Sequence, residues 1–227
     1  MKSTGGDDDA KRRAGEHAAG MVEDGTVVGL GTGSTTAYAI RALGRAVDAG
    51  LDVVGVPTSY QSGDLAREVD VPVRTLDDVS GVDLAIDGAD QVAGFDCIKG
   101  GGAAHAREKL VASAADRLVI VVDPSKEADR LDRSVPIELL PDARRPVSAA
   151  LRDLGGEPEL REAERKDGPV VTENANLVID CDFGSIEDPA GLAADLSAIP
   201  GVVEHGLFVG LIDEVVVGTA TGVETRR

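Results

Sequence analysis

The chain has 227 residues, a formal net charge of −18 and 2% aromatic residues. A surface that acidic repels nucleic acid and anionic membranes, which argues against both as partners. The length suffices for one large domain, or one and a half, with a substantial core.

Ala10, Ala14, Ala18 and Met21 recur at helical spacing, and Gly25 closes a helix over 9–24. TVVGLGTGS reads as a buried strand running into a glycine loop. STTAYAIRALGRAVDAG follows as a helix, with Ser34 or Thr35 as N-cap and Gly50 past its end. LDVVGVPTS reads as a second strand, QSGDLAREV as a helix, VPVRTL as a short third strand and VDLAIDGAD as a fourth ending in acids. Glycines 100–102 lead into a helix over 103–115, and RLVIVVDPSK is the next strand. Strands alternating with helices predict an α/β fold with a mainly parallel sheet covered on both faces.

The pattern changes near residue 132. SVPIELL, DARRPVSAALRDLG, EPELREA, NANLVIDCDF, DPAGLAADLSAI and VVEHGLF spell β-α-β-β-α-β, the order of a ferredoxin-like unit, with ERKDGP as the turn between its middle strands. EVVVGTA is expected to return to the first sheet. The predicted division is a flexible N-terminus over 1–9, a main α/β domain over 10–131 plus 207–227, and an inserted unit over 132–206.

Aspartate dominates the acids, and lysine is confined to Lys2, Lys11, Lys99, Lys109, Lys126 and Lys166. That composition fits a high-salt cytoplasm, where counterions screen the self-repulsion. Cys97 and Cys181 lack metal spacing and secretory context, so they are expected as free thiols in a reducing compartment. His17, His105 and His205 share no ligand spacing, so no metal is expected. With no signal peptide and no apolar run long enough to span a bilayer, the expectation is a cytoplasmic globular protein.

Three motifs carry chemistry. In GLGTGSTT a glycine loop opens a helix, where freed backbone N–H groups and the helix dipole favour an anion; Thr32, Ser34, Thr35 and Thr36 add hydroxyl donors. A dinucleotide fingerprint would need glycine at Ser34 and an acid after the second strand, which ends GVPTS. No lysine follows the loop, so it is not a Walker A motif; a tight packing turn is the plain alternative. In DGAD, Asp87 and Asp90 sit at the carboxyl end of a strand, where open α/β sheets bind ligands. Such a pair can divide into proton donor and acceptor, or can simply make a turn.

The third motif is IKGGGAAHAREK. Gly100, Gly101 and Gly102 permit close backbone approach to a ligand. Glu108 shares a helical stripe with Ala104, Val111, Ala112 and Ala115, and an inward acid there suits general-base work. Ala106 and Leu110 make the opposite side apolar as well, and a surface charge paired with a base is the other reading. With lysine so rare, Lys99, Lys126 and Lys11 stand out as cations that can converge on one anionic ligand.

GLGTGSTT, DLAIDGAD, IKGGGAAHAREK and VVDPSK, in that order, resemble the ribose-5-phosphate isomerase family of type A over about residues 10 to 225; IPGVVEHGLF fits as well. The resemblance implies a Rossmann-like catalytic domain, a ferredoxin-like lid and oligomerisation domain, and a homodimer or homotetramer. It further implies a sugar phosphate substrate and neither metal nor organic cofactor. By position it makes Glu108 the base, Asp87 and Lys99 the groups that handle hydroxyl and enediolate oxygens, and Asp90 a residue of ring opening. Thr32, Gly33, Ser34, Thr35 and Lys126 match substrate and phosphate contacts, joined by Gly88, Ala89, Gly100, Gly101, Gly102 and Lys11. The chain departs from the family at Gln91 and Val92, where many members have an acid and an isoleucine, and by one fewer residue before Lys99; both changes bear on the loop that carries Lys99. Two other classes share the fold. A sugar-phosphate sensor would carry a DNA-binding module, for which no room is expected before residue 10, and a CoA transferase would use a glutamate nucleophile.

Overall fold

The computed structural model describes residues 7–227. The chain separates into two compact units, one built from 7–89, Arg107–Glu127 and Leu211–Arg227, the other from Asp90–Ala106 and Ala128–Gly210.

The elements begin with α1 (Asp8–Ala19), β1 (Thr26–Leu30), α2 (Ser34–Asp48), β2 (Val53–Pro57), α3 (Tyr60–Glu68) and β3 (Leu84–Asp87). Two short strands follow, β4 (Gln91–Ala93) and β5 (Asp96–Ile98), then α4 (His105–Ser113) and β6 (Leu118–Val122). Next come β7 (Val135–Leu139), α5 (Arg144–Asp153), β8 (Glu157–Leu160), β9 (Leu177–Asp182), α6 (Pro189–Ser197) and β10 (Val202–His205). The last strands are β11 (Leu207–Phe208), β12 (Glu214–Gly218) and β13 (Val223–Arg226).

In the larger unit six strands run in the order β13-β12-β6-β3-β1-β2. All neighbours pair in parallel except β12 and β13, which are antiparallel. Val28, Leu30, Leu84, Ile86, Val119, Val121 and Val216 alternate onto one face and meet Ala14 and Ala18 of α1 and Ala39, Ile40 and Leu43 of α2. Near-continuous apolar strands are what a sheet covered on both faces requires. Small residues set the helix spacing: a Cβ on Gly15 of α1 would lie 2.6 Å from the Thr35 carbonyl oxygen of α2. On the other face, a Cβ on Gly29 of β1 would lie 2.6 Å from Val111 Cγ1 of α4, so the missing side chain makes room for that helix.

In the smaller unit β7-α5-β8-β9-α6-β10 forms an antiparallel sheet of order β10-β7-β9-β8, the ferredoxin-like arrangement that the element order predicts. Val135, Ile137, Leu139, Ile179 and Cys181 pack on Val147 and Leu151 of α5 and Leu196 of α6. A second, three-stranded sheet of order β11-β5-β4 belongs to the same unit. Segment 90–106 therefore sits with 128–210: β5 pairs with β11, and the Ala128 N–H donates to the Val92 carbonyl at 2.9 Å.

Local expectations are corrected at several places. VPVRTL is not a strand; Val73 makes an isolated bridge to Gly55, with Pro72 supplying only its carbonyl oxygen, to the Gly55 N–H. VVEHGLF splits at Gly206 into β10 and β11 of different sheets, because Gly206 passes so close to Lys99 that a Cβ would lie 2.2 Å from the Lys99 carbonyl oxygen. The β4–β5 hairpin, turned at Gly94 with φ 60°, lies in a stretch to which the sequence reading assigns no element. Helix α4 covers His105–Ser113, inside the expected 103–115, and α1 stops at Ala19. Of the expected flexible segment 1–9, residues 1–6 lie outside the described residues. Asp7 is already an N-cap, its carboxylate accepting from the Asp9 N–H, and Asp8 and Asp9 belong to α1.

Candidate active site

Successive carboxyl ends of β6, β3, β1 and β2 carry most of the candidate residues of the larger unit. The chain goes from β1 to β2 on one side, and β3 then pairs on the other side of β1. The switch point of the sheet therefore falls between β1 and β3, where open α/β sheets form their binding crevice.

The glycine loop leaves β1 at Leu30 and enters α2 at Ser34. Gly33 is the N-cap, not Ser34 or Thr35, and it has φ 125°, a conformation that favours glycine, with no side-chain capping bond. A helix start without a capping side chain keeps its first-turn N–H groups for an external acceptor, and the helix dipole makes that acceptor an anion. Ser34, Thr35 and Thr36 occupy this first turn.

Asp87 ends β3 and is buried. Its Oδ1 accepts the Thr32 N–H at 3.1 Å and the Gly88 N–H at 2.7 Å. Gly31 makes this approach possible, since a Cβ there would lie 2.1 Å from Asp87 Oδ1. The loop and the first acid of DGAD are thus one assembly. Gly88 and Ala89 continue from Asp87, and Ala89 is the last residue of this stretch of the unit.

Glu108 lies in the first turn of α4 and is 5% exposed, with Ala104, Val111 and Ala112 also buried. Leu110, on the other side of the helix, is 60% exposed. The inward stripe read from the sequence is therefore the buried one. Lys126 closes a single 3-10 turn, Pro124–Lys126, after β6 and is buried; Asp123 starts the turn by accepting the Ser125 N–H at 2.9 Å. Lys11 is buried on α1, which packs against α2, β6 and β12.

The smaller unit holds the rest. The Asp90 N–H donates to the Ile98 carbonyl at 2.8 Å, and Asp90 Oδ2 accepts the Gly101 N–H at 2.7 Å. Lys99 follows β5, is 3% exposed, and puts Nζ 5.5 Å from the centroid of the Phe208 ring, within cation–π range. Gly100 has φ 105°, and Ala103 N–H closes a turn onto its carbonyl at 2.9 Å. Gln91, one of the departures from the family pattern, is buried, and its Oε1 accepts the N–H groups of Asp132 and Arg133 at 2.9 and 3.0 Å. An amide serves there because one side chain must both accept from these backbone groups and donate to the Asp132 carboxylate.

Sequence reasoning missed a set of hydroxyls after β2. Thr32 Oγ1 donates to Ser59 Oγ at 2.7 Å and lies 3.0 Å from Thr58 Oγ1, while Ser59 accepts the Ser62 N–H at 3.2 Å as the cap of α3. The signal was the Thr-Ser pair at a strand's carboxyl end in GVPTS. The histidines are dispersed over α1, α4 and β10. Among the described residues no group of three or more His, Cys, Asp or Glu side chains could hold a metal ion. Cys97 and Cys181 are buried and form no disulfide, and burial pushes the Cys181 thiol up to about 12. No helix among the described residues is long and apolar enough to cross a membrane.

Comparison with known proteins identifies the family. Residues 54–222 match the family described as ribose 5-phosphate isomerase A (phosphoriboisomerase A). Ribose-5-phosphate isomerase A of Haloarcula marismortui is 68% identical over 222 residues, covering 98% of this chain and 97% of that protein. The protein of the same name from Natronomonas pharaonis is 63% identical over 226 residues, covering both chains completely. The structure of ribose 5-phosphate isomerase A from Methanocaldococcus jannaschii superposes with a TM-score of 0.92 at 44% identity, over 96% of this chain and 98% of that one. A D-ribose-5-phosphate isomerase solved in complex with phospho-erythronic acid gives 0.93 at 43% identity, over 96% and 97%. With matches of this extent at both the sequence and the structural level, the chain belongs to the ribose-5-phosphate isomerase A family.

Proposed function

We propose that the protein interconverts D-ribose 5-phosphate and D-ribulose 5-phosphate, with Glu108 as the base that moves the proton between C2 and C1. The observation that carries this reading is the buried Glu108 in a unit whose adjacent strands lead into Asp87, the glycine loop with the first turn of α2, and Lys126. One part of that set suits a phosphate and the other suits proton transfer. The relative 43% identical to this chain was solved with phospho-erythronic acid, a sugar acid that carries a phosphate as the proposed substrate does.

In the proposed reaction Asp90 or Asp87 assists opening of the sugar ring. Glu108 takes the proton from C2, and the electron pair moves toward O1 to give a cis-enediolate. Lys99, the amides of the glycine loop and Asp87 stabilise the oxygen charge that develops. The O2 proton passes to O1 through Asp87 as the carbonyl forms at C2, and Glu108 returns its proton to C1. The carbons exchange oxidation states within one molecule, so the balance needs no external oxidant or reductant. Gly88, Ala89, Gly100, Gly101 and Gly102 let the backbone approach the substrate, and Ser34, Thr35, Lys126 and Lys11 hold its phosphate.

The same resemblance supports a homodimer or homotetramer, with segment 132–206 contributing to oligomerisation, and a cytoplasmic location, where phosphate esters are retained by their charge. Light scattering in concentrated KCl measures the assembly. The function is tested by following ribulose 5-phosphate formation from ribose 5-phosphate in high KCl, with and without EDTA. Turnover that EDTA leaves unchanged is expected. Absence of turnover, or trapping of an acyl-enzyme by hydroxylamine after incubation with an acyl-CoA, would overturn the reading in favour of a sensor or a transferase respectively.

A further inference from the structure

We propose that Arg161 is a positioning residue for this reaction: it holds the Gly100–Gly101 peptide in one orientation, and through it the Asp90 carboxylate. The proposal rests on the isomerase reading above for its consequence on turnover, and on geometry alone for the clamp itself.

Arg161 stands one residue beyond β8, its N–H bonded to the Val178 carbonyl of β9 at 2.9 Å. Its side chain is 11% exposed and engages both carboxylate oxygens of Asp180 on β9, Nε to Oδ2 at 2.7 Å and Nη2 to Oδ1. The remaining nitrogen, Nη1, donates to the Gly100 carbonyl oxygen at 2.9 Å. The other end of that same peptide, the Gly101 N–H, donates to Asp90 Oδ2 at 2.7 Å. Four groups therefore alternate in sign along one line of hydrogen bonds: the Asp180 carboxylate, the Arg161 guanidinium, the peptide dipole and the Asp90 carboxylate.

The peptide needs holding. Both residues that flank it are glycine, and Gly100 has φ 105°, so little in the chain itself opposes rotation of the peptide plane. Rotated by half a turn, it would present a carbonyl oxygen to Asp90 in place of the N–H donor, setting partial negative charge against a carboxylate. Gly101 also lies so close that a Cβ would sit 2.7 Å from Asp90 Oδ1, so Asp90 follows the peptide's position closely. Guanidinium suits the role because its planar fork can bind a carboxylate with two nitrogens and still present a third donor; an ammonium cannot do both. Lys99 is the residue before this peptide, so the clamp also fixes where the chain leaves β5 toward Lys99.

Removing Arg161 alone would strand the Asp180 charge, so the informative variant is the double replacement Arg161→Leu/Asp180→Leu, which deletes the pair together. Arg161→Lys serves as the second variant, since it keeps a cation beside Asp180 but gathers its donors on one nitrogen in place of the three that reach Asp180 and the Gly100 carbonyl. Amide exchange of 15N-glycine-labelled protein and steady-state kinetics are measured for parent and variants in high KCl. In both variants the Gly101 amide should exchange at least about tenfold faster, and kcat should fall by about 10²-fold with KM little changed, the scale of loss expected from a misplaced reacting group. Millimolar methylguanidinium should restore part of kcat in Arg161→Gly, an effect that general loss of stability would not produce. Folded variants with parental Gly101 exchange overturn the clamp, and faster exchange with parental kcat overturns the positioning role. A parent without turnover overturns the isomerase reading instead, and the exchange rates still decide whether Arg161 holds the peptide.

Discussion

Glu108 is the residue on which the proposed chemistry turns. Glu108→Gln keeps the size of a buried side chain and removes the base, so kcat should drop by roughly 10²–10⁴-fold with fold and KM retained. The variant should also stop exchange of the C2 proton with solvent deuterium, whereas Asp87→Asn, slow for want of oxygen protonation, should still exchange it. Glu108→Gln turning over within tenfold of the parent would transfer the role to Asp87. Two of the three buried lysines, Lys126 and Lys99, should divide differently. A phosphate contact acts equally in ground and transition states, so Lys126→Ala should raise KM, while Lys99→Ala should lower kcat, because enediolate charge exists only near the transition state. A large fall in kcat at constant KM for Lys126→Ala would put Lys126 at the reacting end. These residues were legible because each stands at a position with local meaning, a strand end or one stripe of a helix. Thr58 and Ser59 were not, because their part in the site arises from Thr32, which is distant in sequence and adjacent only through the pairing of β1 with β2.

At the level of elements, the alternation of strands and helices and the β-α-β-β-α-β order were readable because long apolar runs and capping glycines mark them. The hairpin β4–β5 escaped because three-residue strands carry no measurable period, and VVEHGLF was read as one strand because its pattern continues through the bend at Gly206. β12 shows how a buried polar group anchors an element. Glu214, its first residue, is buried, which pushes its carboxyl up, but hydrogen bonds from Arg117 and Arg227 outweigh burial and hold it below the ordinary 4.5. A depressed carboxyl contributes stability that is complete above its unfolded value and is lost as pH falls through the folded one. Glu214→Gln should therefore melt below the parent near neutrality, and the gap should close as pH drops below 4.5. Melts at a series of pH values check this, and a gap that persists or widens in acid would show that packing, not charge, anchors β12.

Across the whole molecule the dominant quantity is the charge of −18. Its self-repulsion reaches about 30 Å at 0.01 M salt and only about 3 Å at 1 M, so the melting temperature should climb with KCl. A melting temperature equal at roughly 0.1 and 2 M would disprove electrostatic dependence on salt. The relatives from Haloarcula and Natronomonas agree with a chain built for brine. Screening has a second effect: it removes the repulsion that keeps copies of the chain apart, and many salts strengthen apolar association as well. A parallel sheet with an open, largely apolar outer strand would then be a template for stacking one molecule on the next. β12, with Val215, Val216 and Val217 fully buried, would be such a strand if β13 did not pair along it and turn Glu224, Thr225 and Arg226 outward. At the opposite margin, the Gly55 N–H and carbonyl of β2 are already taken by the Pro72 carbonyl and the Arg74 N–H. The four residues of β13 thus serve as a colloidal guard: a chain lacking Val223–Arg226 should keep its fold in brine and yet precipitate from it, at salt concentrations where the intact protein stays dispersed.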